Sequence, residues 1–296
     1  MDVDTRLLRY FNAVAEEGNL TRAAARLYIS QPALTKQIRQ LEEQLGAVLF
    51  KRSRSGMALT EPGEALAEAV GGVLEAWDRA ERSVKAAEAS ASKVLRIGFL
   101  ASAANEKTQD IIAVFKRRRP DWRVELRQAS WGDPIEGLVS GEVEAAFMRL
   151  PFPNQEDFHL AILLTEPRCV AMAANHPLAQ RESLRFEELL DEPFIAAPAA
   201  TGAFRDHWIE AEARGGRPVR IGAVTEHPDD WLAAIANGDG IALAPESAAR
   251  YYARPDIAYR DVGGLSPSEV ALAWPKASPA NGPLDDFITA AIELAD

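Results

Sequence analysis

The sequence predicts a chain in two parts. An all-α head, built as a winged helix-turn-helix with a long linker helix, precedes an α/β body of two lobes. Three observations predict this. Leu20 to Leu45 holds two short apolar-periodic segments on either side of a turn, and a basic glycine turn follows. Leu66, Val70, Val73, Trp77, Ala80, Val84 and Ala87 then recur at alternating spacings of four and three. Beyond Lys93 short apolar strands alternate with helical segments.

Asp4 can cap a first helix whose Leu7, Leu8, Phe11, Val14 and Ala15 form a packing stripe, with Gly18 as its stop. Ala23, Ala24, Leu27 and Ile29 give the next helix a small apolar face, which lets a neighbour approach closely. Ser30 stands where an N-cap belongs, and Pro32 falls in the first turn, where a missing N–H costs nothing. Leu34, Ile38, Leu41 and Leu45 then mark a core face. The opposite face carries Gln31, Pro32, Thr35, Lys36 and Arg39. A recognition helix has this layout, offering its N-terminal residues to base edges in a major groove. Two short amphipathic helices occur in many domains, so the next stretch matters. Lys51, Arg52 and Arg54 lie in KRSRSG, where Gly56 permits a tight turn before Met57, Ala58 and Leu59. This is the pattern of a two-stranded wing whose arginines reach phosphates or a minor groove.

The run AAARLYISQPALTKQIRQLEEQLGAVLF, followed by Arg-Ser and then LTEPGE, resembles the DNA-binding domain of LysR-type transcriptional regulators. The family usually has arginine at Lys36, and serine is common at Thr35. Lysine keeps the charge but loses the planar fork, so bidentate guanine reading is not expected there.

Composition bounds the remainder. The 296 residues suffice for two or three compact units, and no apolar run approaches the roughly 18 residues of a membrane span. The acidic start MDVDTRLLRY lacks the pattern of a signal peptide. The single cysteine, Cys169, excludes an internal disulfide and a cysteine-based zinc cluster. A cytoplasmic protein without membrane contact is expected. The formal charge of −11 is unevenly placed: residues 1–60 sum to +3 and the rest to −14. A mildly basic head on an acidic body is compatible with nucleic acid.

Thr60 is placed to cap the long helix, with Glu61 and Pro62 in its first turn. Its heptad seam, with Leu66, Val70, Val73, Trp77 and Val84 as dimerisation residues, would hold two chains together. An amphipathic helix packed on its own domain is the alternative. The expected boundaries are a head at 1–60, a linker helix at 61–89, a hinge at 90–93 (in ASASK) and an effector-binding body at 94–296. In the body, VLRIGFL, RVELRQ and EAAFMR read as strands of a βαβαβ unit, hence a parallel sheet covered by helices. A second set follows, with FEELL, FIAA, a helix at 203–213, VRIGAV, a helix at DDWLAAIANG and GIALAP. The order of elements, with RIGF, ANHPLA and GDGIALAP, resembles the type II periplasmic-binding-protein fold that the LysR family carries as its effector domain. Lobe I would span about 94–163 and 268–296, and lobe II about 164–267.

Ligands of such folds lie at the carboxyl ends of the strands, between the lobes. Loops after the strands place Ser102, Ser130, Trp131, Arg149 and Phe204 as effector-binding residues. The resemblance implies Ser102 and Ser130 as hydroxyl donors and Phe204 as closing on the ligand. Arg149 is a cation for a carboxylate, and Trp131 departs from the small or acidic residue of the family, so it narrows the pocket or stacks on a ring. In the alternative, the serines cap helices and Arg149 pairs with an acidic residue. His159, His176, His207 and His227 are too scattered for a metal motif, and no G-x-S-x-G, GxxxxGK[ST], H-E-x-x-H or GxGxxG set is present. No enzyme and no cofactor is therefore expected. The resemblance implies a regulator that binds promoter half-sites in double-stranded DNA, senses a small organic acid of the aromatic kind or a simpler carboxylate, assembles as a dimer or homotetramer, and works with RNA polymerase. The competing readings are a solute-binding protein or an enzyme on the same two-lobe body.

Overall fold

The computed structural model describes residues 3–53, 56–101, 103, 105–276 and 282–295. The chain divides into two units, Met1–Glu81 and Arg82–Asp296.

In the first unit, α1 (Thr5–Glu17) starts where Asp4 accepts the Arg6 N–H at 2.8 Å, and ends at Gly18 in the left-handed region. Helix α2 (Leu20–Arg26) is capped by Asn19, which accepts from Thr21 and Arg22. Ser30 caps α3 (Gln31–Leu45) through the Ala33 N–H, and Gly46 closes it with φ 67°. Leu7, Phe11, Ala23, Leu34, Ile38 and Leu41 form one buried cluster, each large side chain contributing about 1.5–3 kcal/mol. The wing consists of β1 (Phe50–Ser53) and antiparallel β2 (Gly56–Leu59). It sits against the end of α1, where Met57 N–H donates to the Gly18 carbonyl at 2.8 Å. A Cβ at Gly56 would strike that same oxygen, so glycine is required there.

Helix α4 (Glu61–Ser92) opens at Thr60, whose hydroxyl accepts the Gly63 N–H at 3.2 Å. Two expectations change here. The stretch expected as a hinge is helical to Ser92, and the break falls at Lys93 with φ 52°. Alanine and serine lack a packing stripe but do not break a helix, and alanine favours one. The seam also divides. Leu66, Val70 and Leu74 pack into the head's own core, Val70 being 1 % exposed. Val73, Trp77 and Val84 stay 49 %, 45 % and 69 % exposed.

The second unit begins with β3 (Val94–Leu100), α5 (Asn105–Arg118), β4 (Arg123–Ala129), α6 (Glu136–Val139) and β5 (Ala145–Arg149). Strands β4, β3 and β5 are parallel, as expected. Then come β6 (Phe158–Glu166), β7 (Arg168–Ala173), β8 (Ser183–Arg185), β9 (Pro193–Ala196), α7 (Ala203–Trp208), β10 (Arg220–Val224) and α8 (Pro228–Asn237). The chain ends with β11 (Ala242–Pro245), α9 (Ala248–Tyr251), β12 (Ile257–Gly263), β13 (Ser268–Pro275) and α10 (Pro283–Glu293).

The first lobe's sheet runs β4-β3-β5-β13-β6, and β13 is antiparallel to both its neighbours. It is therefore mixed, because the chain returns from the second lobe in the opposite direction. Ile97, Phe115, Phe147, Leu272 and Phe287 fill its core. The second lobe has β11-β7-β12-β8 and the parallel pair β9–β10, which meets β11's approach through a Phe194–Ile241 bridge. Two short links join the lobes, Pro167 between β6 and β7 and residues 264–267 between β12 and β13. The helix expected over 203–213 stops at Trp208. Arg214, buried beneath it, donates to the Ile209 carbonyl at 2.9 Å and lies 4.5 Å from the Phe194 ring centre. That side chain takes a carbonyl a continuing helix would have used.

Candidate nucleic-acid interface and effector crevice

The exposed face of α3 starts with Pro32, Lys36 and Arg39, while Gln31 and Thr35 are half-buried. Gln31 Nε2 donates to Thr35 Oγ1 at 2.9 Å, and Thr35 Oγ1 donates to the Gln31 carbonyl at 3.0 Å. The amide that would read a base is thus parked one turn along its own helix. Elsewhere on the head, arginines are spent on carboxylates: Arg26 on Glu16 at 2.6 Å, Arg22 on Glu17 at 3.3 Å and Arg9 on Asp78 at 2.6 Å. Among the described residues, Lys36, Arg39 and the exposed Lys51 form no ion pair. Arg52 lies on β1 opposite Met57. Arg54 lies outside the described residues.

In the body, β3, β4 and β5 end side by side at Leu100, Ala129 and Arg149. Trp131, Arg149 and Phe204 come together around a cavity of about 70 Å³, with Thr225, Trp231 and Tyr252 completing its polar and aromatic wall. The rings interlock edge to face, Trp131 on Trp231 at 6.1 Å and Trp231 on Tyr252 at 6.4 Å. Burial raises the Tyr252 phenol above its ordinary pKa, partly offset by the Arg149 charge. Ser130 does not line this cavity. Its hydroxyl accepts the Gly132 N–H at 2.9 Å and donates to Glu226 at 3.4 Å, while Trp131 N–H donates to the Glu226 carbonyl at 2.9 Å. These bonds latch the first lobe to the second across the mouth. Ser102 lies outside the described residues.

Arg149 is 4 % exposed and is not a free cation. Its Nη2 lies 2.8 Å from Glu166 Oε1, and its Nη1 donates to Ser268 at 2.9 Å. Glu166 in turn accepts the Ser247 N–H at 2.7 Å and the Ser247 hydroxyl at 3.1 Å. The alternative reading of this arginine is what the structure contains. Glu166, Ser247 and Ser268 carry no local motif, so only the fold could reveal them. Cys169 is buried on β7, where desolvation, with nearby acidic groups, pushes its thiol up to about 12. Such a thiol is inert to oxidants.

Two family models match. Residues 5–64 match the bacterial regulatory helix-turn-helix protein of the lysR family, and residues 88–296 match the LysR substrate binding domain. The chain belongs to the LysR family. LysR-family relatives include the HTH-type transcriptional regulator AlsR of Bacillus subtilis, 31 % identical over 87 % of this chain and 85 % of its own length. BenM of Acinetobacter baylyi is 32 % identical over 83 % of this chain and 81 % of its own. Among solved structures, full-length CbnR complexed with its target DNA is similar at 26 % identity and a TM-score of 0.57, covering 99 % of this chain and 100 % of that one. As a LysR-type protein the chain is a ligand-responsive, DNA-binding transcriptional regulator and not an enzyme.

Proposed function

We propose that this regulator reads a paired DNA site through α3 and its wing, and changes promoter use when a small organic molecule occupies the crevice between its lobes. The observation that carries the reading is the cavity at the strand ends, walled by Trp131, Arg149 and Phe204. On the DNA side, Gln31, Pro32 and Thr35 face bases, while Lys36, Arg39, Arg52 and Arg54 hold phosphates. Val73, Trp77 and Val84, apolar and exposed on one side of α4, are the contact between two chains in the cytoplasm. That contact would set two heads on adjacent half-sites, alone or within a tetramer, with RNA polymerase as the downstream partner implied by family membership. An organic acid fits the scheme only by exchange: its carboxylate would take the place of Glu166 opposite Arg149.

The experiment is salt-dependent binding to the DNA upstream of the chain's own coding sequence, with and without a panel of small carboxylates and aromatic acids. Specific binding should weaken steeply with salt, and Lys36→Ala should reduce the slope by about 1. Equal affinity for that DNA and random duplex at every salt concentration would count against the assignment.

A further inference from the structure

Residues 130–141 bear on two different parts of the second unit. At the start of this stretch Trp131 lines the cavity, and its N–H donates to the Glu226 carbonyl at 2.9 Å. Trp131 is half-buried, whereas Arg149, Phe204 and Trp231 of the same wall are buried. In the middle, Ile135 and Leu138 are buried in one apolar cluster with Leu100, Ala197 and Phe204 of that wall. Leu138 belongs to α6, so this short helix shares its packing with the cavity.

The end of the stretch carries the linker helix, whose last turns, from Arg82 on, belong to this unit. Arg82 Nη1 donates to the Val139 carbonyl at 3.0 Å, and Lys85 Nζ donates to the Ser140 carbonyl at 2.7 Å. Both carbonyls lie at the C-terminal end of α6, where helix bonds leave them open. Gly141 completes the seat. Its φ is 70°, and a Cβ there would lie 2.5 Å from Arg82 Cγ and 3.0 Å from Arg82 Cα, so α4 rests on bare backbone. A third contact holds α4 to the sheet instead. Arg96 on β3 donates to the Lys85 carbonyl at 3.0 Å, and Glu144 accepts from the same guanidinium at 2.9 Å.

A cavity of about 70 Å³ is less than half the roughly 150 Å³ in which benzene is held, so a ligand of even that size pushes its wall aside. Packed elements answer such a push by shifting as bodies rather than by deforming. We propose that residues 130–141 are the transmission element of this regulator: an occupant of the crevice moves Trp131, α6 moves with it, and Arg82 and Lys85 tilt the linker helix about its Arg96 contact. Helix α4 is continuous from there to Glu61. The inference rests on the crevice reading above and names the path by which occupancy is passed on.

The test is a mutant cycle on the full-length protein. It is read by competition binding to the DNA upstream of the chain's own coding sequence, and by hydrogen exchange over residues 82–92. Ala197→Leu adds bulk to the cavity wall, and Trp131→Ala removes the side chain that receives the push. Each should change the affinity for that DNA at least about fivefold, the lower end of allosteric coupling, and alter exchange over 82–92. In the Arg82→Ala/Lys85→Ala background the change in affinity should shrink to less than about twofold, and the change in exchange should vanish. Arg82→Lys/Lys85→Arg, which keeps both donors, should restore the two responses. Responses of full size without Arg82 and Lys85 overturn the inference and leave the crevice reading in place, because the signal then travels by another path. If neither wall variant changes DNA affinity or exchange, the crevice reading fails as well.

Discussion

Replacing Arg149 by methionine removes a charge while keeping most of the side chain's length, and the consequence can be worked out from its partners. Two opposite charges about 4 Å apart gain about 4 kcal/mol at an effective dielectric near 20. The Arg149–Glu166 pair is 2.8 Å between heavy atoms, with side chains only 5 % and 11 % exposed. In the variant, Glu166 keeps its two bonds from Ser247 but no countercharge, and the Ser268 hydroxyl loses its guanidinium partner. Removing one member of a buried pair costs about 3–5 kcal/mol. For a unit of this size the midpoint should fall by roughly 6–20 °C. The Arg149→Met/Glu166→Met double variant should recover most of that loss, because no lone charge then remains inside. Thermal and urea unfolding of the four proteins of this cycle supply the coupling energy directly. A single variant within about 1 kcal/mol of the parent would refute the reasoning, and would mean that the guanidinium is loosely held and free to meet an anionic effector.

Three further outcomes follow from the geometry. Gln31→Ala should cost about 1–3 kcal/mol on the specific site, relax its sequence preference and leave random DNA unaffected, as read by competition binding. Trp77→Glu should abolish the dimer in sedimentation, because Trp77 is 45 % exposed and contributes nothing to the head's buried core; an unchanged dimer would place the contact elsewhere. His207 is held down to about 4 by burial and by the Arg168 charge, against an ordinary 6.5. Above about pH 6.5 both folded and unfolded chains carry it neutral. Between there and pH 4 only the unfolded chain takes the proton, so stability falls as pH falls. Urea midpoints across that range should show this slope, and His207→Asn should flatten it.

Much of the head was legible because its signals are local. Asp4, Ser30, Thr60 and Gly18 act within three or four residues of themselves, and the structure has each in its expected role. The seam on α4 was legible as periodicity but not as allegiance. Spacing cannot tell whether Val70 meets its own head or a second chain, and it meets its own head. ASAS lacks a stripe and so reads as a break, although alanine's backbone preference favours helix there and the Ser92 hydroxyl donates to the Glu88 carbonyl at 2.9 Å. The body's strands were found by composition, yet their directions depend on where the chain re-enters, as β13 does antiparallel to β5. In the crevice, Trp131 and Arg149 follow from their position at strand ends and Phe204 from the resemblance, and the three do meet. The partners of Arg149 lie 17, 98 and 119 positions away, and no sequence pattern joins them.

The two bonds across the mouth and the four-residue cluster around Glu166 differ in leverage as well as strength. Glu166 and Ser268 sit at the two links where the chain passes between lobes, so they lie at the pivot of any opening. Ser130, Trp131 and Glu226 lie across the mouth. Rotation about a fixed axis barely stretches what lies on the axis and displaces most what lies far from it. Opening the lobes therefore breaks these two hydrogen bonds, each worth about 1 kcal/mol net, and separates the Trp131–Trp231 ring contact and the apolar cluster that joins Leu100, Met148 and Phe158 to Ala197 and Phe204, with the buried charges undisturbed. A clamshell wired this way yields at its mouth while its pivot holds, so it shuts again to the same register each time.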